Sequence, residues 1–268
     1  MPLKVIFEPF FLIFSRFQLL REFVLRDIKG RFAGSFAGLL WTVLNPLATI
    51  VAYFFVFSLV MRISVTVEET GTDRFVIFFL CGFFPWVMFA ESLNKSVGSL
   101  IAQSSLITKV LFPVELIPLS TLISAFITNA MGFGLFLIYI ALDGYLHISW
   151  LWVPVLLLIE MLFALGLCLF LSAICVFIRD TAELLSVVTM LWFFATPIIY
   201  PFSMVPESMK FFFKMNPVAL MVENFRDVLL LHTPDPWMIS ITMVVAMMSF
   251  ACGSWFFSRS KVAFGDVL

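Results

Sequence analysis

Six apolar stretches, each long enough to cross a bilayer as a helix, constrain this chain more than anything else in it. They cover residues 36–60, 75–95, 116–142, 151–178, 184–202 and 237–258. A hydrocarbon core of about 30 Å takes roughly 20 helical residues. Composition agrees: of 268 residues, 62% are hydrophobic and 12% charged, against about 45–50% and about 25% in an ordinary globular domain. No water-soluble fold hides that much apolar surface. The expected fold is an all-α integral membrane protein with six transmembrane helices. It divides into an N-terminal cytoplasmic segment, 1–35, and a six-span domain, 36–268.

Residues 14–32 read FSRFQLLREFVLRDIKGRF. Phe17, Leu20, Val24 and Ile28 recur at helical spacing, and Arg16, Arg21, Arg26, Lys29 and Arg31 fill the other sides. That pattern predicts an amphipathic helix lying in the membrane interface, compatible with packing on a partner. Glu8, Pro9 and Arg16 interrupt the apolar start, so no cleavable signal peptide is expected. Gly30, Gly34 and Gly38 offer two overlapping G-x-x-x-G spacings. They read equally well as a close helix approach or as a turn. Pro46 inside the first span is tolerable where neighbours satisfy the freed carbonyl.

Lysines and arginines set the orientation. With the N-terminus inside, Lys4, Arg16, Arg21, Arg26, Lys29, Arg31, Lys95, Lys109, Arg179, Arg259 and Lys261 are cytoplasmic. Arg62, Arg74, Lys210, Lys214 and Arg226 are outside, so 11 of the 16 lie inside and both termini are cytoplasmic. The inner loop 94–118 is long for a connector, and its middle is helix-compatible. A docking surface and a plain connection both fit. The outer segment 203–236 is too apolar for a disordered loop. Non-helical backbone at membrane depth survives only against protein or a water-filled cavity. A re-entrant helical pair turning near Asn216 and Pro217 is expected there, with a helix on the outer surface as the alternative.

Little in the chain carries covalent chemistry. There is no G-x-x-x-x-G-K-[ST] and no Gly-Lys pair, hence no phosphate cradle of that type. His147 and His232 look isolated, and the four cysteines lie in apolar runs as buried thiols. No metal or cofactor is expected in the chain, and no nucleic acid. Glu91 stands four residues before Lys95 and is expected to pair with it. Glu160 falls near mid-depth, where a carboxylate either pairs across helices or faces a cavity. Aromatics make up 17% of the chain. Flat apolar rings offer weak, sequence-tolerant stacking to sugar faces. Candidates for lining a conduit are Phe32, Phe36, Tyr53, Phe57, Phe83, Phe84, Trp86, Phe89, Phe193, Phe194 and Tyr200.

Three stretches together carry a family resemblance. The basic helix leads into LLWTVLNPL (39–47). GFFPWVMFAESLNKSVGSLIAQSSLITKVLFPVELIP (82–118) follows. VFIRDTAELLSVVTMLWFFATPIIYP (176–201) then precedes MNPVALMVENFRD (215–227). In order and spacing the chain resembles the permease subunit of type-2 ABC exporters for cell-surface polysaccharides: O-antigen, capsule and teichoic acid. The resemblance implies an inner-membrane homodimer that binds two cytoplasmic ABC ATPase subunits, which hold ATP and magnesium. It implies that spans 1 and 5 line the channel and that the N-terminal helix and loop 96–115 touch the ATPase. Leu100, Ile101, Ser104, Ser105 and Lys109 are the candidates for that contact. The implied cargo is a glycan, O-antigen first, linked to undecaprenyl diphosphate. Arg26, Lys29, Arg31 and Arg179 are the candidates to meet the diphosphate, against a role in topology and lipid-headgroup contact. Two other classes compete: an ion-coupled secondary transporter using Glu160, and a membrane glycosyltransferase using Glu68, Glu69 and Asp73.

Overall fold

A computed structural model describes residues 15–31, 34, 38–63, 65–109 and 113–268. Lys4, Phe32 and Phe36 lie outside these residues. Among the described residues the elements are all helical. α1 is Phe17–Arg31. α2 is Trp41–Phe54, prolonged by the wider π turn Phe55–Val60. α3 is Phe75–Val97, followed by two short helices, α4 Ser99–Ala102 and α5 Ser104–Lys109. α6 is Leu116–Ile140, α7 Val153–Phe177 and α8 Thr181–Phe194. α9, Glu207–Met215, and α10, Pro217–Arg226 with its extension Asp227–Leu231, form a hairpin. α11, Pro236–Ser260, and α12, Phe264–Val267, come last.

Five of these helical segments are long and apolar enough to cross a membrane: Val43–Val60, Phe75–Val97, Leu116–Tyr145, Ile148–Phe177 and Pro236–Val267. They overlap five of the expected spans: three agree within three residues at both ends, the first starts seven residues later than expected and the last runs nine residues further. For the remaining expected span, 184–202, the structure has a shorter apolar helix with different bounds. α8 begins at Thr181 and stops at Phe194, so it has 14 residues and rises only about 21 Å.

The stop has a physical cause. Pro197 has no N–H, and the last carbonyls of any helix lack partners within it. Here side chains supply the donors. Tyr200 Oη donates to Phe194 O at 2.7 Å and Asn216 Nδ2 to Ala195 O at 3.1 Å. Arg226 donates to Pro197 O and Ile198 O at 2.6 and 2.9 Å.

Cross-links sort the bundle into two ends. At one, Arg74 pairs with Asp143, Tyr145 donates to Thr72, and Ser149 to Val228 O, each at 2.7 Å. At the other, Arg26 donates to Gln103 at 2.8 Å and Lys261 pairs with Glu115 at 2.7 Å. α3 runs between the ends as the central post, buried along most of its length against α6, α7, α8 and α10. α7 and α11 cross closely enough that a Cβ on Gly253 would sit 1.9 Å from Gly166 O. α2 leans on α6 where Gly132 leaves room for Pro46; a Cβ there would meet the proline ring at 2.6 Å.

α1 buries Leu20 and Val24 and lies along α6, where Ser124 donates to Asp27. Of the glycines near its exit, Gly34 and Gly38 fit the turn reading, while Gly30 is still helical. Among the described residues nothing lies within 4 Å of a Cβ built at Gly30, Gly34 or Gly38, and the last two take φ of +78° and +51°. Those are left-handed values that favour glycine.

Candidate functional site

α2, α3 and α8 enclose an open groove of about 360 Å³ with α3 as its back wall. Tyr53 of α2, Phe83 and Trp86 of α3 and Phe193 of α8 line it, with the hydroxyl-bearing Ser186 and Thr189. Helical periodicity explains the set: Phe79, Phe83, Trp86 and Ala90 fall on one stripe of α3. Ring contacts form two sets along it. Tyr53 meets Phe79 and Phe83 at 4.6 and 5.2 Å, and Trp86 meets Phe193 at 5.7 Å. Phe57 continues the row, stacked 5.8 Å from Tyr53. Thr189 Oγ1 accepts from Asn94 Nδ2 at 3.2 Å, which fixes one polar point in an otherwise apolar wall.

Not every expected ring faces this groove. Phe84 and Phe89 project from the other sides of α3 into the helix core. Phe84 lies against Phe136 at 5.5 Å, and Phe89 stacks on Phe163 at 5.6 Å. Both are buried, so they are corrected to core residues. Phe194 and Tyr200 belong to a second, larger hollow of about 830 Å³ between the end of α8 and the hairpin. Asn216 sits in its wall, accepting from Trp192 Nε1 at 2.9 Å.

The expected cations do not form one cluster. Arg31 turns inward to Glu91 at 2.8 Å, where Lys95 joins it at 2.6 Å and Asn129 donates to the second oxygen at 2.6 Å. Glu91 therefore pairs with Lys95 as its spacing suggests, and also pins α1 to α3. Arg26 lies over the Phe23 ring at 4.2 Å while reaching Gln103. Lys29 and Arg179 are exposed. Of the residues expected at a docking surface, Ser105 is exposed and Ile101 and Ser104 are half-buried. Leu100 is 0% exposed and is corrected to an anchor of α4 in the core. Lys109 ends α5.

Glu160 is 2% exposed, and both its oxygens lack a hydrogen-bond partner among the described residues. Of the two alternatives for it, a cross-helix pair is therefore not made among the described residues. Glu68, Glu69 and Asp73 are exposed. His147 and His232, isolated in sequence, are brought together with ring centroids 4.5 Å apart. Burial, and then the neighbouring His147, hold the His232 imidazole below its usual pKa. Among the described residues no group of three or more His, Cys, Asp or Glu could hold a metal.

Sequence reasoning missed Arg226, which it counted only as an outer charge. Its side chain is buried between the end of α8 and α3, its guanidinium 3.7 Å over the Phe78 ring. The sequence signal for it was weak: Glu223 three residues earlier on an otherwise apolar helix.

Residues 18–230 match the ABC-2 type transporter family. The chain belongs to that family. The ABC-2 fold thus accounts for the long apolar helices, and the protein is a multi-pass membrane protein. The O-antigen export system permease protein RfbA of Klebsiella pneumoniae is 31% identical over 254 residues, covering 94% of this chain and 95% of its own length. A protein of the same name in Myxococcus xanthus is 32% identical, covering 91% and 93%. The polysialic acid transport protein KpsM of Escherichia coli is 24% identical, covering 76% and 78%.

Proposed function

We propose that this chain is the channel-forming permease of an ATP-driven exporter of lipid-linked cell-surface polysaccharide, O-antigen before capsule or teichoic acid. The observation that carries this is similarity along nearly the whole chain to two O-antigen export permeases. The aromatic groove supports it. A wall of rings gives a sliding glycan contact without tight binding.

In this reading two copies face each other across α2 and α8 in the inner membrane. Tyr53, Phe57, Phe83, Trp86 and Phe193 line the path. The end with Gln103, Glu115 and Lys261 is cytoplasmic, as are both termini. There α1, in the interface, and α4–α5 meet two ATPase subunits through Ile101, Ser104, Ser105 and Lys109. ATP and magnesium act on those partners. Arg26, Lys29 and Arg179 stand exposed toward an undecaprenyl diphosphate headgroup, while Arg31 is held by Glu91. α8 counts as a short sixth span.

The α9–α10 hairpin is re-entrant in this reading, and its depth supports that. Asn216 touches Trp192, whose ring meets Trp86 and Phe89. Those lie 11 and 14 residues into α3, about 17–21 Å from its first residue.

ATP closure of the partners would push α1 and α4–α5, part the lining helices and advance the polymer. The test is reconstitution in proteoliposomes. The purified chain alone should hydrolyse no ATP, and with its ATPase it should move a lipid-linked glycan. Hydrolysis by the pure chain, or glycan movement without the ATPase, would overturn the reading.

A further inference from the structure

Arg226 places a full charge in the protein interior, and its partners define its task. Nη1 reaches Pro197 O at 2.6 Å and Glu223 Oε1 at 2.8 Å; Nη2 reaches Ile198 O at 2.9 Å. Both carbonyls belong to the stretch where α8 has stopped, and Thr196, Pro197 and Ile198 are buried. Water cannot serve those carbonyls, so a planar fork of donors is the group that fits.

Space for the fork is reserved. A Cβ on Gly82 would sit 3.1 Å from Arg226 Nη2 and 2.9 Å from Val222 Cγ1. Fifteen ångströms or so along the same hairpin helix, by about 1.5 Å per residue, Asn216 makes a second attachment. Its Nδ2 donates to Ala195 O at 3.1 Å and to Thr196 Oγ1 at 3.0 Å. The end of α8 is therefore tied to α10 at both ends of that helix.

We propose that Arg226 is a positioning residue of the exporter: its guanidinium splices the end of α8 to the hairpin, so that the two move as one gate at the mouth of the path. This rests on the proposed transport function. A lysine cannot replace it, because one compact, strongly hydrated ammonium cannot span two carbonyls and a carboxylate.

The test uses the whole exporter in proteoliposomes. Phe194, exposed at the end of α8, is changed to Cys in a background without the native cysteines. Its rate of modification by a water-soluble maleimide is read alongside glycan export per ATP hydrolysed. Arg226→Met and Arg226→Lys should each raise the modification rate at least fivefold and cut export per ATP at least tenfold. Gly82→Ala, which keeps the charge but crowds the fork, should do both to a lesser degree. Arg226→Met paired with Glu223→Met removes the unpaired carboxylate and keeps the assay usable if the single variant assembles poorly.

Unchanged modification in the assembled double variant overturns the splice. So does export per ATP at the parent level in either Arg226 variant. The modification arm needs no glycan. If the parent complex moves no glycan while the modification rate still rises, the transport reading fails and the splice stands.

Discussion

Replacing Glu160 by methionine should make this protein more stable and leave export intact. The carboxyl lies within α7 at 2% exposure with neither oxygen hydrogen-bonded among the described residues. A buried polar group left unsatisfied costs about 1–3 kcal/mol. Methionine has similar length and no polar atom, so it removes that cost and keeps the volume. The expected gain is therefore about 1–3 kcal/mol. At about 2–4 °C per kcal/mol for a chain of this size, the apparent unfolding midpoint in detergent should rise by several degrees. The assay pairs that midpoint with glycan export in reconstituted vesicles. Glu160→Gln separates the contributions, since it keeps two orphan polar atoms and should give little gain. If Glu160→Met folds, assembles and binds its ATPase but no longer transports, the carboxyl is a working proton or ion site. The argument from orphan oxygens would then be refuted.

Gly253→Leu should abolish the α7–α11 crossing, because even a Cβ there would lie 1.9 Å from Gly166 O; loss of a monodisperse peak in size-exclusion chromatography is the readout. Glu91→Ala removes the carboxylate that Arg31 and Lys95 share. With all three side chains partly exposed, the cost should be about 1–3 kcal/mol, below the figure for fully buried pairs, and proteolysis at α1 should quicken. Acid should loosen the His147–His232 seam. The folded pKa of His232 is lowered, so the unfolded state binds more protons and stability falls as pH drops below the unfolded value of about 6.5. A midpoint that declines between pH 7.5 and pH 5.5, and declines less in His232→Gln, checks this.

The spans were legible because bilayer thickness imposes a length on apolar runs; five of six were located, three of them within three residues at both ends. The exception, 184–202, failed for a tertiary reason. Its apolar content continues to Tyr200, but the helix ends at Phe194, and side chains from 200, 216 and 226 serve the carbonyls at and just beyond that end. Periodicity could place rings on α3 but not say which stripe faces the groove. Phe83 and Phe84 are adjacent in sequence, yet one lines the groove and the other meets α6. His147 and His232 show the same limit: a separation of 85 residues in sequence is closed only by the packing of the hairpin against the start of α7. The turn at Asn216 was readable, since an Asn before Pro is a ready helix start.

The short α8 has a consequence for the surrounding lipid. A helix rising about 21 Å in a hydrocarbon layer of about 30 Å carries a mismatch near 9 Å, and each ångström costs a fraction of a kcal/mol in bilayer deformation. In the proposed reading, where α8 is a short sixth span and the hairpin is re-entrant, protein fills the missing depth: 195–200 and the hairpin make a composite span, half main-chain helix and half side-chain lattice. Such a span can change its effective length by shifting a few hydrogen bonds. An unbroken helix would have to unwind a turn to do the same.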